Sequence, residues 1–468
     1  MKKKQNFGII GMAVMGKNLA LNIANNSYKV SVYNRSEKKI KEIVDINNKN
    51  IIPFNNIKKF INSLTPPKTI LLMIKSGKAT KDTIKKISKY LKPHDVIIDG
   101  GNSFYKDTME ISNFLFKKHI KFIGAGISGG EYGALNGPSI MPGGSLIAYK
   151  ITKHIFKKIS ALSEENFSCI CYLGPNGSGH YIKMIHNGIE YGNMQLIAES
   201  YFMLKYFFKY DNKKISNLFS EWNKHELNSY LIEITKQIIK KKNKNNKDYL
   251  INSISDVADS KGTGKWSVKN SLDLGEPFYI AAASLFERYI SCFKKERKLL
   301  SKIFIKKQKI SNYNITVEHI RKSLYLSTLI SYIQGFNQLR LASLKYNWNL
   351  KLGKIAKIWF SGCIIKSRCL KNIEQEFLKD EKLSNLMFSD YFKDTIDSNI
   401  SFLRKTVLCA IDNSISIPAF NAALTFFDSY TSKELSTNLV QAQRDCFGSH
   451  RYIRNDKKGY FHTHWIKE

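Results

Sequence analysis

The chain has 468 residues, 43% hydrophobic and 12% aromatic, which provides for two or three domains with a sizeable core and excludes a disordered polypeptide. Its 74 Lys and Arg against 38 Asp and Glu give a formal charge of +36, which first points to nucleic acid or a membrane surface. The lysines are scattered, however, and Asn, Ile, Phe and Tyr, which share A/T-rich codons with Lys, are abundant too, so coding bias accounts for the excess and neither partner is expected.

The N-terminus, MKKKQNFGIIGMAVMG, imitates a signal peptide, but Lys17 cuts the apolar run short. The same residues read better as strand, turn and helix. A strand is expected over 7–10, then the turn Gly11-Met12-Ala13-Val14-Met15-Gly16, a helix to about Asn25 and a second strand over 29–33. In such a βαβ opening the first glycine permits the tight turn, the last lets helix and strand approach, and the helix N-terminus faces a pyrophosphate. Ala13 replaces the usual middle glycine. NAD-binding folds place an acid at the end of the second strand to hold the ribose hydroxyls. Here that place holds Asn34-Arg35-Ser36, and a guanidinium clamps a 2′-phosphate instead, so the expected cofactor is NADP.

Further strands are expected over 69–74, 96–99, 121–125, 145–149 and 169–173. Three of them run into small polar loops: Ile74-Lys75-Ser76-Gly77, Asp99-Gly100-Gly101-Asn102-Ser103 and Ile127-Ser128-Gly129-Gly130-Glu131. Ligands of open α/β sheets bind beyond such strand ends. Ser128-Gly129-Gly130 could turn successive N–H groups toward an anion.

From 178 onward strand signals fade. The stretch 178–208 lacks proline and is apolar nearly all round, the pattern of a long buried helix. One face breaks that pattern: Lys183, His186, Asn187, Glu190 and Tyr191 fall at i, i+3, i+4, i+7 and i+8. Unpaired burial of such groups costs several kcal/mol each, so they form either a satisfied polar network between helices or one wall of an active site. The Lys-rich run 240–247 reads as a solvated turn, and 260–266, SKGTGKW, as a glycine-relieved anion loop without the P-loop pattern. Arg288 falls in an apolar helix over 278–293, where burial would require an anionic partner. GNMQL at 192–196 echoes GFNQL at 335–339, each followed by a tryptophan (Trp222, Trp359), which points to a duplicated helical unit. The last 33 residues are too few for a core, yet Phe447, Tyr452, Tyr460, Phe461 and Trp465 require something to pack on.

Seven cysteines, an odd number with no CxxC, indicate neither a disulfide framework nor a zinc site and fit a reducing cytoplasm. His462 and His464 form only an HxH, weak evidence for a metal. No apolar stretch approaches membrane-spanning length.

Taken together, GMAVMGKNLALN, IDGGNS, SGGEYGALNGPSIMPGG, KMIHNGIEY, KGTGKW, GCII and QRDCFGSH occur in the order and spacing of the decarboxylating 6-phosphogluconate dehydrogenase family, which the chain resembles over essentially its whole length. The resemblance implies a Rossmann-like α/β domain over 1–177, a large all-α domain with internal duplication over 178–435, and a tail over 436–468 that threads the partner subunit of a homodimer. It implies oxidation and decarboxylation of 6-phospho-D-gluconate to ribulose 5-phosphate and CO2 with reduction of NADP, a step of the oxidative pentose phosphate pathway. By matching position, Gly11, Met12, Ala13, Val14, Met15, Gly16, Asn34, Arg35, Ser36, Ile74, Lys75, Ser76 and Asn102 would bind NADP. Asn102, Ser128, Gly129, Gly130, His186, Asn187, Tyr191, Lys261 and Arg288 would hold the substrate, with Arg444 and His450 reaching in from the other subunit. Lys183 would be the general base and Glu190 the general acid, and no metal is implied. The chain departs from the family at WNKHELNS (222–229), at WFSGCIIKS (359–367), and at Cys446 and Arg451; these bear on packing more than on chemistry. A shorter β-hydroxyacid dehydrogenase is the rival reading, sharing the glycine turn and lysine but lacking KGTGKW and the tail.

Overall fold

The computed structural model describes residues 4–244, 248–259, 262–305 and 314–466. Seven strands form one sheet: β1 (Phe7–Ile10), β2 (Val30–Tyr33), β3 (Ile51–Phe54), β4 (Thr69–Leu72), β5 (Val96–Asp99), β6 (Lys121–Ser128) and β7 (Ser139–Gly144). Their order is β3-β2-β1-β4-β5-β6-β7, parallel except for β7, which runs antiparallel to β6. The central strands FGII, TILL and VIID are buried at every position, as a parallel sheet covered by helices on both faces demands. The chain reverses direction of winding between β1 and β4, which opens a crevice at their carboxyl ends.

Two expected strands are corrected. Residues 145–149 are the N-cap and first turn of the helix Leu146–Ile159: Ser145 Oγ accepts from Ala148 N at 3.3 Å, and Ala148, Thr152, Ile155, Phe156 and Ile159 line its buried face. Five residues were too few to separate a period of 2 from one of 3.6. Residues 169–173 are irregular, with one bridge, Ile140 to Ile170. The strand in that region is β7, whose Pro142, Gly143 and Gly144 concealed it; proline is tolerated there because β7 lies at the sheet's edge. β3, with Pro53, is the other edge and was missed for the same reason.

The helix expected over 178–208 runs Ser178–Tyr206 and is buried over most of its length. Glycines set it directly on β6 and β7. A Cβ on Gly126 would lie 2.4 Å from Lys183 Cβ, one on Gly179 2.3 Å from the Gly124 and Met141 carbonyls, and one on Gly143 2.3 Å from Gly179 N. No side chain fits in those gaps, so the helix is held in one place across the end of the sheet.

A second long helix, Val317–Lys345, packs against it. Both have 29 residues, and they cross where Gly192 faces Ser331 and Gly335 faces Ile189. Each is followed by a shorter helix ending at or beside a tryptophan, Asn212–Trp222 and Leu352–Ile358 with Trp359 next. One continuous core surrounds this pair. Gly262, left-handed at φ 89°, caps the helix Thr263–Leu274, so 263–266 are helical rather than loop; Ser260 and Lys261 lie outside the described residues. Of the lysine run, Lys240 ends the helix Tyr230–Lys240 and 245–247 lie outside the described residues.

The tail comprises a helix, Thr437–Gly448, and a small hairpin, β8 (Tyr452–Ile453) and β9 (Tyr460–Phe461). Its large apolar side chains find no core in this chain: Phe447 and Tyr460 are about three-quarters exposed (75% and 74%). No helix among the described residues is long and apolar enough to cross a membrane.

Candidate active site

Two groups of residues meet at the carboxyl end of the sheet. The first lines a crevice beyond β1, β2 and β4, and Gly11, Asn34, Arg35, Ser36, Ile74 and Lys75 all face it. Gly11 has φ 102°, and a Cβ there would sit 2.3 Å from the Met73 carbonyl. A Cβ on Gly16 would sit 1.8 Å from the Gly11 carbonyl, which makes this the closest approach of helix to turn. Ala13 is the N-cap of the helix Val14–Asn25, so Val14 and Met15 form its first turn, whose N–H groups have no intrahelical partner. Asn34 Oδ1 accepts from Met12 N at 3.0 Å and its amide donates to Ser36 O at 3.2 Å, tying the turn to the end of β2. No carboxylate occupies the position that would hold a free ribose; the exposed Arg35 follows Asn34 instead. Lys75 and Lys86 add positive charge across the crevice, and Lys86 had no signal in the sequence. Ser76 follows Lys75 in the same loop. The arrangement fits a dinucleotide carrying an extra phosphate.

The exposed Asn102 lies between the two groups, on the loop after β5. Asp99, fully buried, accepts from Gly101 N at 3.0 Å and Ser103 Oγ at 2.6 Å and so fixes that loop. Sequence reasoning placed Asp99 in the loop without seeing this role.

The second group is the polar face of Ser178–Tyr206. Lys183, His186 and Asn187 are buried, and about a fifth of the Glu190 side chain is open (21%). His186 is the hub. Its Nε2 lies 3.1 Å from Ser128 Oγ; its Nδ1 lies 3.2 Å from Asn187 Oδ1, 3.4 Å from Lys183 Nζ and 3.6 Å from Glu190 Oε2. The Asn187 carbonyl favours the tautomer with hydrogen on Nδ1, leaving Nε2 to accept from Ser128. Burial pushes His186 well below its usual pKa, and Lys183 pushes it further, so the ring is neutral. Trp359 packs its ring edge-on at 5.7 Å and closes the apolar side.

Burial lowers the Lys183 pKa, although Glu190 and Cys363 pull it back up. Burial raises that of Glu190, against the opposing pull of Lys183 and Arg288. The helix thus carries an amine reluctant to hold its proton and, two turns on, a carboxyl reluctant to lose one. Cys363, in the GCII segment, lies close enough to influence Lys183 and donates to Trp359 O at 3.2 Å; its nearness to the lysine was not legible in sequence.

Ser128 ends β6, and Gly129, at φ 119°, caps the helix Gly130–Asn136, with Gly130 also left-handed at φ 62° and open in front. Tyr191 is buried, and Arg288 stacks on its ring at 3.6 Å. Arg288 was expected to require an anionic partner if buried; it is half-buried, its guanidinium reaches the Asp259 carbonyl and Met194 Sδ, and its charge acts on Glu190. Arg444 and His450 are exposed in the tail and are not brought to this face in the single chain. His462 binds Asp445 at 3.0 Å, and no cluster of three or more metal-ligating side chains occurs among the described residues.

A glycine turn at a sheet's switch point, no ribose-binding acid, and a lysine–carboxyl pair across from it define a nicotinamide-dinucleotide-dependent dehydrogenase with an α/β cofactor domain and a helical second half. Comparison with known proteins narrows the class. Residues 6–174 match the NAD binding domain of 6-phosphogluconate dehydrogenase, and 179–465 match that enzyme's C-terminal domain. The chain is 52% identical over 467 residues, 99% of each chain, to the decarboxylating 6-phosphogluconate dehydrogenase of Buchnera aphidicola subsp. Acyrthosiphon pisum. It is 47% identical over 466 residues, again 99% of each, to that of Escherichia coli K12. The solved 6-phosphogluconate dehydrogenase of Plasmodium falciparum, described in its apo form and in complex with NADP+ and with 6-phosphogluconate, superposes with a TM-score of 0.95 at 42% identity, covering 98% of this chain and 100% of that one. The chain belongs to the 6-phosphogluconate dehydrogenase family.

Proposed function

We propose that this chain oxidises and decarboxylates 6-phospho-D-gluconate to ribulose 5-phosphate and CO2, within the pentose phosphate pathway, with Lys183 as base and Glu190 as acid. The observation that carries the reading is the opposed pKa displacement of two groups on one helix face, beside a crevice built for a phosphorylated dinucleotide. NADP, when bound by Gly11–Gly16, Asn34, Arg35, Ser36, Ile74, Lys75, Ser76 and Asn102, supplies the hydride acceptor.

The chain's own residues do the rest. Lys183 Nζ, neutral at the outset, takes the proton of the C3 hydroxyl as hydride leaves C3. The resulting ketone is β to the C1 carboxylate, and the lysinium now hydrogen-bonds to its oxygen. The C1–C2 bond breaks, CO2 departs, and the electron pair moves into an enediol stabilised by that contact. Lys183 gives its proton to the ketone oxygen as the enediol forms and takes it back as Glu190 gives its own proton to the former C2 carbon and the product carbonyl appears; transfer of one proton from the amine to the carboxylate then resets the pair. His186, neutral and held between Ser128 and Asn187, orients those two groups toward the sugar acid without competing for protons. Asn187, Ser128, Gly129 and Gly130 hold the carboxylate end, and Tyr191, Lys261 and Arg288 hold the phosphate end.

The same reading divides the chain into 1–177 for the cofactor, 178–435 as a duplicated helical unit, and 436–468 as an arm that reaches into a second copy, bringing Arg444 and His450 to its phosphate site. Exposed apolar side chains on that arm support a homodimer. Seven free cysteines suit the cytoplasm. Assaying 6-phosphogluconate beside 3-hydroxyisobutyrate tests the reading: turnover of the first alone supports it, and turnover of the second alone overturns it.

A further inference from the structure

The tail has no apolar core, yet it contains one fully buried side chain, the carboxylate of Asp445. Its Oδ1 accepts from Arg451 N at 2.8 Å and His462 Nδ1 at 3.0 Å. Its Oδ2 accepts from Thr463 N at 3.0 Å and from Trp465 Nε1 at 2.8 Å. One carboxylate therefore joins the end of the helix Thr437–Gly448, the turn after it, and the strand leaving the hairpin. Desolvation pushes its pKa up, but the four hydrogen bonds together hold it well below the usual carboxylate range.

The turn it closes contains His450. Ser449 and Arg451, on either side, are both left-handed, at φ 51° and 60°, a conformation that non-glycine residues hold only when surrounding bonds impose it. His450 folds back on Gly448, where a Cβ would lie 2.9 Å from the imidazole ring, and its ring meets Phe447 edge-on at 6.0 Å. Arg444 is tied to the same turn: its Nη1 donates to Gln441 Oε1 at 3.0 Å, and Gln441 Nε2 donates to the Arg451 carbonyl. Both side chains proposed to cross between subunits thus take their positions from the segment that Asp445 pins.

We infer that Asp445 is a positioning residue for the neighbouring subunit's substrate site, presetting Arg444 and His450 before the arm docks. The inference rests on the proposal that these two residues reach the partner. It also assigns His462, half of the HxH, to this carboxylate rather than to a metal.

Asp445→Asn keeps the shape but turns an amide toward two N–H donors. Because the contacts it disturbs lie at the phosphate end, remote from C3, the expected result is a rise of about tenfold or more in KM for 6-phosphogluconate, with kcat and the KM for NADP little changed. Gly448→Ala, which displaces His450 without touching Asp445, should move the same constant. Sedimentation should show each variant assembled as the unaltered protein is. If Arg444→Ala raises this KM and Asp445→Asn does not, the inference falls while the crossing of Arg444 stands. If Arg444→Ala itself leaves KM unchanged, the crossing falls and the inference with it. Loss of assembly in both Asp445→Asn and Gly448→Ala would make the segment an assembly element and overturn the positioning role.

Discussion

At the scale of single residues the chemistry reduces to two proton affinities. Lys183 is buried beside a neutral imidazole, and burial pushes its pKa below the ordinary lysine value, against the opposing pull of Glu190 and Cys363, which favours the free amine that a base must be. Lys183→Met should lower kcat by about a thousandfold or more while NADP binding, read by fluorescence titration, persists. Near-normal turnover in that variant would contradict the assignment. With Lys183 as the proposed base and Glu190 as the proposed acid, rate should follow a bell in pH, since the first acts without its proton and the second with one. Glu190→Gln should leave a single rise with pH in the residual rate; a bell that survives the change places the second titration elsewhere. Arg35→Ala should raise the KM for NADP strongly and that for NAD little, and equal losses with both would show that Arg35 does not read the 2′-phosphate. The residue types and spacing of this site were legible, since a polar stripe at i, i+3, i+4, i+7, i+8 violates the pattern of a buried helix. What surrounds the stripe was not: Trp359, Cys363 and Asp99 act through contacts that only the fold creates.

Among the elements, the decisive packing is the seat of Ser178–Tyr206 on β6 and β7. Gly126→Ala would place a methyl 2.4 Å from Lys183 Cβ, and the expected outcome is a large fall in kcat with cofactor affinity retained. A second seat lies at the other end of the same helix. Glu199 is buried and accepts from Ala419 N at 2.8 Å and Phe420 N at 3.0 Å, capping the helix Pro418–Thr431. Burial pushes its pKa up to about 8, against those bonds. The folded state then binds this proton more tightly than the unfolded chain, so its stabilisation is full below the ordinary value of 4.5 and is lost as pH rises through about 8. Thermal melts of Glu199→Gln should lack that decline; an identical pH dependence would mean Glu199 is ionised throughout. Long periodic helices and apolar central strands could be read in advance. The edge strands β3 and β7 could not, because Pro53 and Pro142 are acceptable only where a strand has a free side, and that is a fact of topology.

The whole molecule explains why a +36 chain need not bind nucleic acid: its substrate and cofactor are both polyanions, and a positive surface favours their approach. It also explains the tail, whose aromatic side chains lack a core in one chain and whose buried carboxylate gives it shape beforehand. With Lys183 proposed as the group that polarises the ketone, EDTA should leave turnover intact, and a strict need for Mg²⁺ would contradict the scheme. The most direct test of the account follows both products of 6-phosphogluconate turnover by the purified protein, NADPH by absorbance and CO2 from substrate labelled at C1. The account predicts that they appear in equal amounts and that Lys183→Met abolishes both; NADPH without CO2, or neither product from the intact chain, would contradict it.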